Sequence, residues 1–453
     1  MRNKVIWMVR PWIEDFSAYD HFAQPLGFLV LYRILESLGY QVFYIDLLTE
    51  ITSALRLRKN SDGRSEYSSK CIDKPTVFKN IPRYFKRYGI DEEVFSERVC
   101  AMTRPDTVLI TTGMTYWYTG LKQTISCIKK MFPDVPVFLG GTYATLCPQH
   151  ALALPDVNDV IQGNPQVKFF KMLASSTDDR TIVKNLHSHH LPPWQLLPQT
   201  TYAVITTRFG CSNHCRYCAV NKIHPDRESK PMEQIEQEIE HILTFQTIRN
   251  IALYDDDLGD DTHKHFSSFL KFLSQKDYPI KWHIPNALFA GAVTEDMAYR
   301  MKQTGFVQPR LSLNYIDKRM TPTGLDKQSM NLIEKASKKL YEAGYTEGQI
   351  SAYLIAGLPD QTLTMLVNSG LQLIDIGVKP YISQFSPVPG TPLGDIRIRQ
   401  LKETLLSDDL LLTNKILSVY CHPGWQPKEL VDLMNYWRNQ CHPKETCNYS
   451  DQN

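Results

Sequence analysis

The sequence predicts an α/β protein with an N-terminal doubly wound, Rossmann-like domain, a partial (β/α)6 TIM-like barrel and a helical C-terminal extension. Three observations predict it: apolar runs alternate with helical periodicity early in the chain, a polar, proline-containing stretch follows, and the alternation then resumes with six strand-like runs. Such alternation is typical of parallel sheets covered by helices. The expected boundaries are 1–175 for the first domain, 176–200 for a linker, 201–395 for the barrel and 396–453 for the extension.

Length and composition fit a globular protein with two cores. The chain has 453 residues, 43% of them hydrophobic and 22% charged, with a formal net charge of +2. This balance indicates neither nucleic acid nor a membrane as partner. The N-terminus lacks a signal-peptide pattern, and no window reaches the roughly 18 apolar residues of a transmembrane helix. We therefore expect a cytoplasmic protein, and its mostly scattered cysteines fit reduced thiols there.

The first domain is predicted from two strand–helix series. The first series comprises the strand VIWMVR (5–10), the helix PLGFLVLYRILESLG (25–39) and the strand QVFYID (41–46). After a polar insertion at about 52–100 come TVLITTG (107–113), a helix over 118–131, VFLGG (137–141) and NDVIQG (158–163). Ligands of doubly wound sheets bind over the carboxyl ends of the strands, where TTG, GGTY and QGN lie.

The stretch between the two domains shows no clear periodicity. Pro192 and Pro193 argue against a helix, so we expect an irregular linker. The segment LHSHHL (186–191) has two interpretations: a metal-binding tract or histidines in a polar linker.

The second domain is predicted from six strand-like runs. These are TYAVITT (201–207), IALYDDD (251–257), KWHIPN (281–286), RLSLNY (310–315), QISAYLIAG (349–357) and YISQF (381–385). Helical patterns follow, among them 264–274, 295–304 and 327–343. Strand–helix repetition of this kind predicts a parallel α/β barrel, complete or partial, with its chemistry at the carboxyl ends of the strands.

Three cysteines stand within eight residues, in CSNHCRYC. Cys211, Cys215 and Cys218 directly follow the strand-like TTRFG, so they occupy a loop at a strand's carboxyl end. Three thiolates suit a four-iron cluster with one iron left open. A structural zinc site would need a fourth ligand, and His214 is awkwardly placed beside Cys215. Plain loop thiols are the third alternative.

The motif CxxxCxxC, with Tyr217 before its last cysteine, resembles that of the radical S-adenosylmethionine (SAM) superfamily. The resemblance implies a [4Fe-4S] cluster on the three cysteines, with the open iron chelated by the amino and carboxylate groups of SAM. It further implies reductive cleavage of SAM to a 5′-deoxyadenosyl radical. The electron would come from a low-potential donor such as flavodoxin or ferredoxin.

The same resemblance implies SAM contacts further along the chain. Asp255, Asp256 and Asp257 lie where the family's second strand meets the methionine amino group; alternatively, one or two of them cap the next helix. Near the ribose, where many members carry Glu, this chain has Asn314, with Ser312 on the same strand. The segment YLIAGLPDQT places Ile355, Ala356 and Gly357 where main-chain groups meet adenine, and SPVPGTPL (386–393) resembles the closing segment of the barrel.

The first domain resembles that of the cobalamin-binding class of the superfamily, through PLGFLVLYRILESLGYQVFYID and VFLGGTYATLCPQHA. Candidate cobalamin residues are Thr112, Gly113, Met114, Gly140, Gly141, Thr142 and Gly163. The DxHxxG pattern is absent, since Asp20 and His21 are adjacent, so any cobalamin should lack a histidine lower ligand. The aromatics of MTYWY (114–118) would either cover the corrin or fill its space, in which case the domain is a scaffold.

The expected reaction is cobalamin-dependent methylation of an unactivated carbon of an unknown substrate. One alternative is a radical SAM enzyme without cobalamin that catalyses a rearrangement or cyclisation. A second alternative is a non-catalytic iron–sulfur sensor. His283, Asn286 and Tyr315 are candidate substrate neighbours, because the predicted strands end near them.

Two further features have open interpretations. Cys421, Cys441 and Cys447, with His422 and His442, would either hold an auxiliary cluster or be ordinary thiols and imidazoles. The basic stretches 56–70 and 83–89 are expected to be solvated surface, with contact to an anionic substrate as the alternative.

Overall fold

The computed structural model describes residues 4–48, 60–165, 167–173, 179–197, 200–259, 264–312 and 327–441. The chain divides into two compact units, one of Met1–Ala203 with Glu233–Ile248 and one of Val204–Met232 with Arg249–Asn453. Among the described residues, no helix combines the length and apolar character needed to cross a bilayer.

The first unit is built on a five-stranded parallel sheet. Its strands are β1 (Val5–Arg10), β2 (Ile13–Asp15), β3 (Tyr19–Asp20), β4 (Gln41–Asp46), β5 (Ser65–Glu66), β6 (Ser69–Ile72), β7 (Phe85–Tyr88), β8 (Thr107–Thr112), β9 (Val137–Gly141) and β10 (Asp159–Val160). The main sheet has the order β10-β9-β8-β1-β4, and the chain reverses its direction across the sheet between β1 and β8. This order is doubly wound, so the predicted fold class is confirmed for this half of the chain.

Helices cover this sheet. They are α1 (Leu26–Ser37), α2 (Glu92–Cys100), α3 (Tyr118–Met131), α4 (Thr142–Leu146), α5 (Pro148–Leu152), α6 (Val167–Leu173) and α7 (Asp179–His187). Every residue of β1 is buried, as expected for a central parallel strand covered on both faces. The α3 sequence buries Leu121, Ile125 and Ile128, a spacing that puts three apolar residues on one helical face.

The polar insertion forms a second, smaller layer. In its described part, β6 and β7 join β2 in an antiparallel sheet, and β3 pairs with β5. Ile13, Leu48, Tyr67 and Tyr88 form a small apolar cluster there, and Trp117 packs against it. The insertion therefore covers the segment that follows β1.

The expected irregular linker contains α7, so that expectation was wrong for 179–187. Ile182 is fully buried, and it belongs to an apolar cluster with Phe169, Phe170 and Leu35. The two prolines lie beyond the helix and do not oppose it. Tertiary packing thus stabilises a helix whose sequence carries only a few apolar residues.

The second unit contains all six predicted barrel strands. Its strands are β11 (Tyr202–Ile205), whose first residues fall in the first unit, β12 (Arg208–Phe209), β13 (Glu228–Ser229), β14 (Asn250–Leu253), β15 (Lys281–His283), β16 (Leu288–Phe289), β17 (Arg310–Ser312), β18 (Ser351–Ala356) and β19 (Lys379–Gln384). They form one sheet in the order β11-β14-β15 and another in the order β16-β17-β18-β19. The short β16 is an addition to the predicted set.

The helices of this half alternate with the strands. They are α8 (Val220–Ile223), α9 (Met232–Leu243), α10 (His265–Leu273), α11 (Glu295–Gln303), α12 (Lys327–Glu342), α13 (Leu363–Asp375), α14 (Pro392–Leu405), α15 (Lys415–Tyr420) and α16 (Pro427–Cys441). Most of α9 groups with the first unit. The β16–β19 sheet is parallel throughout, as an α/β barrel requires, and α14 to α16 confirm the predicted helical extension.

Candidate iron–sulfur and cofactor sites

The three cysteines lie on a loop closed at its base by two short strands. β12 pairs with β13, with Phe209 opposite Glu228, so the chain between them projects as one loop. Cys211 and Cys215 are partly buried, and Cys218 is exposed. The backbone N–H of Asn213 points at Cys211 Sγ over 3.4 Å. Backbone N–H···S bonds of this kind tune the potential of a thiolate-bound cluster.

Two thiols of the loop are held in their neutral form. Burial raises the pKa of Cys211 to about 12, and the charge of Asp257 adds to this. The pKa of Cys218 is raised as well, because the surrounding protein removes water from its thiolate although part of the side chain stays exposed. Metal binding must therefore displace protons from these sulfurs, as is usual for thiolate sites.

No group of three or more His, Cys, Asp or Glu in the described part of the chain has the geometry to hold a single metal ion. The three cysteines nevertheless supply the donor set of a four-iron cluster, because each thiolate of such a cluster binds a different iron.

The three aspartates after β14 hold the cysteine loop and the strand beside it. Asp256 Oδ2 accepts the backbone N–H of Gly210 at 2.9 Å, and Asp257 Oδ2 accepts the Ser212 hydroxyl at 3.3 Å. Asp257 also contacts the Cys211 thiol. Their predicted contact with SAM stays a prediction, and the observed bonds give them a second role in positioning the cysteines.

Asp255 is fully buried and belongs to a separate chain of hydrogen bonds. It accepts the backbone N–H of Thr207 at 2.6 Å and the Thr207 hydroxyl at 2.5 Å. His265 Nε2 lies 3.1 Å from the same hydroxyl. Burial raises the pKa of Asp255 to about 6, and the bonds from Thr207 oppose that rise. Asp255 thus links the end of β14 to the residues before the cysteine loop.

The fifth-strand segment is held by Gln361, which the sequence analysis did not single out. Gln361 Oε1 accepts the Gly357 N–H at 2.9 Å, and its amide group donates to the Ile355 carbonyl at 2.8 Å. The Ala356 carbonyl accepts from Phe385. The Gly357 N–H and the carbonyls of Ile355 and Ala356 already have hydrogen-bond partners. Adenine would therefore have to bind the second lone pair of one of these carbonyls.

Tyr217 brings the cysteine loop to the end of β18. Its ring packs with Ile355, Leu358, Phe385 and Leu393. The backbone N–H of Leu393 donates to the Arg216 carbonyl at 3.0 Å. Three segments that the sequence singled out independently, namely the cysteine loop, the end of β18 and the closing segment, therefore meet at one place.

The ribose and substrate candidates are only partly described. Asn314 and Tyr315 lie outside the described residues, and Ser312 ends β17 with a partly exposed side chain. His283 Nε2 lies 2.9 Å from Asn250 Oδ1 in a buried pair. The Asn286 amide donates to the Tyr254 and Asp255 carbonyls, both at 3.2 Å. Their predicted substrate role stays a prediction.

The cobalamin candidates come together at one edge of the first unit. The Thr112 hydroxyl donates to the Gly140 carbonyl at 2.6 Å, and the Gly163 N–H donates to the Thr145 hydroxyl at 3.0 Å. Gly141 has φ +95°, and a Cβ there would lie 2.5 Å from the Thr112 carbonyl oxygen, so only glycine fits. Of the other candidates, Gly113 is exposed, and Met114 and Thr142 are partly exposed.

The carboxyl ends of β1 and β4 are closed by a buried ion pair. Arg10 Nη1 lies 3.1 Å from Asp46 Oδ2, and Arg10 also donates to the Tyr67 hydroxyl and the Ala23 carbonyl. Tyr67 belongs to the polar insertion. The accessible part of this edge therefore lies over β8 to β10.

The aromatics of MTYWY have partners inside the first unit. Tyr116 is buried, and the Trp117 indole donates to Asp15 at 3.2 Å. Tyr118 stacks against Tyr143. Tyr116 and Trp117 therefore fill their own packing sites.

Asp20 and His21 differ in their surroundings. Asp20 is buried and accepts the Tyr202 hydroxyl at 2.5 Å, whereas the neighbouring His21 is exposed.

Two of the histidines that had a metal-binding alternative, His189 and His422, are hydrogen-bonded to protein groups. His189 ring nitrogens lie 3.0 Å from oxygens of Gln237 and Glu238. His422 Nε2 lies 3.1 Å from the Leu358 carbonyl, and its other ring nitrogen accepts from Gly424. Cys421 is partly buried, the Cys441 side chain is not described, and His442 and Cys447 lie outside the described residues.

Comparison with known proteins identifies the class. Residues 205–369 match the sequence profile of the radical SAM superfamily. This match runs from the last residue of β11 to the middle of α13, and it includes the cysteine loop, the three aspartates and the segment held by Gln361. Residues 205–369 therefore form a radical SAM domain. Such a domain implies a [4Fe-4S] cluster and SAM as cofactors, and radical SAM enzymes require a reductant.

More particular likenesses come from single proteins. The fold matches TsrM, a radical SAM methyltransferase from Kitasatospora setae solved with cobalamin and a [4Fe-4S] cluster, with a TM-score of 0.61 and 14% identity over 88% of this chain and 78% of that one. A second TsrM structure, with tryptophan substrate and a SAM analogue, gives a TM-score of 0.57 and 13% identity over 88% and 76%. At these identities the likeness establishes the fold, and the predicted fold class is confirmed.

Relatives by sequence have other activities. The ribosomal protein uS12 methylthiotransferase RimO of Clostridium botulinum is 28% identical over 37% of this chain and 39% of its own. A tRNA-2-methylthio-N(6)-dimethylallyladenosine synthase of Escherichia coli O1:K1 is 23% identical over 59% of each chain. This chain thus spans only part of the length of these relatives.

Proposed function

We propose that this chain is a cobalamin-dependent radical SAM methyltransferase that methylates an unactivated carbon of an organic substrate. The observation that carries the radical chemistry is the meeting of the cysteine loop, through Tyr217, with Ile355 and Leu393. The cluster would be held by Cys211, Cys215 and Cys218, and when reduced it would supply the electron that cleaves SAM.

The residues around the cluster would set its position and shield it. Asp256 and Asp257 hold the loop through Gly210 and Ser212. Tyr217 covers one side of the loop with an apolar ring. Exclusion of water matters because a carbon radical must meet its substrate before any competing hydrogen donor.

The cobalamin part of the proposal is supported by the edge of the first unit. Gly113, Gly141 and Gly163 present backbone without a side chain there, and this allows a large flat ligand to approach closely. The buried Arg10–Asp46 pair closes the other end of the edge, so cobalamin would lie over β8 to β10. The fold shared with TsrM supports the same assignment.

The test uses the full chain reconstituted without oxygen. Iron and sulfide should be found at four of each per chain, SAM with a reductant should give 5′-deoxyadenosine, and added cobalamin should be retained after gel filtration with its absorbance spectrum. Retention of the cluster without 5′-deoxyadenosine would indicate the sensor alternative. Formation of 5′-deoxyadenosine without retained cobalamin would indicate a radical enzyme of the non-methylating kind.

A second candidate is methylthiolation, which the sequence relatives favour. The two reactions differ in product mass, because methylation adds CH2 to the substrate whereas methylthiolation adds CH2S. Mass spectrometry of products made with isotopically labelled methyl-SAM separates them.

A further inference from the structure

The guanidinium of Arg310 lies on the inner face of the barrel sheet. Arg310 opens β17 and is opposite Ser351 of β18, so it shares a face with Tyr353 and Ile355. The other face of β18 carries Ala352, Leu354 and Ala356, which are buried. Ile355 packs against the same apolar cluster as Tyr217 of the cysteine loop. The face with Arg310 is therefore the face that carries the radical chemistry.

Two tyrosines hold this guanidinium. Arg310 Nη1 donates to the Tyr353 hydroxyl at 2.7 Å, and that hydroxyl donates in turn to the Pro285 carbonyl at 2.8 Å. The Arg310 Cζ lies 5.8 Å from the Tyr353 ring centroid and 5.2 Å from that of Tyr381. The two rings meet edge to face. These contacts fix the guanidinium plane without neutralising its charge.

Among the described residues, no anion pairs with the Arg310 guanidinium, and several of its N–H groups have no acceptor. Arg310 makes one hydrogen bond there, to a neutral hydroxyl, and no ion pair. The Tyr381 hydroxyl makes no hydrogen bond to a described residue, and both side chains are partly exposed. A cation withdrawn from bulk water without an anion is costly, whereas a guanidinium beside a hydroxyl donor matches a carboxylate well.

We propose that Arg310, Tyr353 and Tyr381 form a site for the carboxylate of an organic substrate. Arg310 would donate to the carboxylate oxygens, Tyr381 would add an O–H donor, and Tyr353 would hold the guanidinium in place. This inference rests on the proposed function and adds the substrate class: a monocarboxylic acid with an apolar body. A single guanidinium balances the single charge of a carboxylate better than the double charge of a phosphate.

The strand geometry sets the size of such a substrate. Arg310 lies level with Ser351, and Ile355 is four residues further along β18. At strand rise this separation is about 13 Å, part of which the long arginine side chain spans. An acid of the size of an aromatic amino acid would then reach from the guanidinium toward Tyr217. The carboxylate of SAM itself would instead be held at the iron.

The test is chemical modification of arginine by phenylglyoxal, mapped by mass spectrometry on the full, cluster-reconstituted chain. Benzoate at about ten times its Kd should slow modification of Arg310 roughly tenfold by simple occupancy. Benzyl alcohol, which lacks the charge, should not protect. Partly exposed Arg300, paired with Asp296 on α11, serves as an internal control in the same digest and should react equally in all samples.

A matched pair of variants makes the test specific. Tyr381→Phe removes only the hydroxyl, which makes no hydrogen bond to a described residue, so folding should be unaffected. The Kd for benzoate, taken from protection at several concentrations, should rise about tenfold. Tyr299→Phe removes a hydroxyl from a tyrosine that is 61% exposed, and it should change nothing. Equal protection in wild type and Tyr381→Phe would contradict the assigned role of that hydroxyl.

Several outcomes would overturn the proposal. Protection by inorganic phosphate but not benzoate would make this a phosphate site, and protection by SAM alone would assign Arg310 to the cofactor. Failure of Arg310 to react under conditions that modify Arg300 would mean that this face of the sheet is inaccessible to small molecules. The assay needs neither reductant nor SAM cleavage, so loss of protection with normal 5′-deoxyadenosine formation refutes this inference alone, and the reverse result refutes the proposed function alone.

Discussion

The backbone N–H of Gly210 donates a 2.9 Å hydrogen bond to Oδ2 of Asp256. This bond joins the residue before Cys211 to the segment after β14, and Ser212 makes a similar bond to Asp257. Two carboxylates in the segment that follows β14 therefore position the cysteine loop. It is held from the side by the apolar contacts of Tyr217.

Replacing any one of Cys211, Cys215 and Cys218 with alanine should remove most of the iron bound after anaerobic reconstitution, because a cluster with two thiolate ligands is not retained well. Iron content and the absorbance near the thiolate-to-iron bands measure the effect. Cys100→Ala, at an exposed position at the end of α2, is the matched control and should bind iron as the wild type does. Full iron content in the Cys215→Ala variant would contradict the site.

Asp255 should make stability depend on pH. Its pKa is about 6 in the folded chain, above the ordinary aspartate value, because burial disfavours its charge. The folded state therefore binds a proton more tightly than the unfolded state does, so this stabilising contribution is complete below about pH 4 and is lost as pH rises to about 6. The difference corresponds to roughly 3 kcal/mol of unfolding free energy.

Urea unfolding of the metal-free chain at several pH values between 4 and 7 measures this contribution. Asp255→Asn should flatten the pH dependence by about one proton, because a neutral amide still accepts the Thr207 N–H. Asp277→Asn, at an exposed position, is the control and should leave the pH profile as it is. An unchanged profile in Asp255→Asn would show that the pKa of this carboxyl is the same in the folded and unfolded states.

Gln361 should control the geometry of the segment predicted to contact adenine. Gln361→Met keeps the length of the side chain but removes its bonds to Gly357 and Ile355, which should cost about 2 kcal/mol of stability and weaken SAM binding severalfold. Thermal unfolding and equilibrium dialysis with SAM measure the two effects. Gln275→Met, on an exposed loop, should alter neither. Unaltered SAM affinity in Gln361→Met would separate this segment from the cofactor.

The glycines at the carboxyl ends of β8 to β10 offer a test of the cobalamin proposal. Gly140→Ala meets no atom closer than 3.9 Å, so the fold should tolerate it, yet the added methyl group should lower cobalamin retention severalfold. Gly141→Ala should instead destabilise the unit by about 2 kcal/mol or more, because of its positive φ and the clash with Thr112. Retention after gel filtration and thermal unfolding distinguish the two variants. Undiminished retention in Gly140→Ala would place the ligand elsewhere.

The sequence by itself determined the class of this protein. The cysteine spacing in CSNHCRYC and the six strand-like runs are local signals, and every one of those runs is a strand in the structure. Local periodicity predicts such elements well because it records which side of a strand or helix is buried. The helix α7 was missed, since its stability comes from packing of Ile182 rather than from its own sequence pattern.

Only the tertiary structure decided which groups the functional side chains contact. In the structure, Asp255 is hydrogen-bonded to Thr207 and Gln361 to Gly357 after β18. Arg310 lies against the rings of Tyr353 and Tyr381. The partners of Asp255 and Arg310 are distant in sequence, and the contacts of Arg310 also depend on strand register, because a shift of one residue would turn its side chain to the other face. The sequence pattern records which residues are buried, and this was enough to predict the class of the protein. Hydrogen-bond partners follow from three-dimensional register, so the proposed carboxylate site could be found only in the structure.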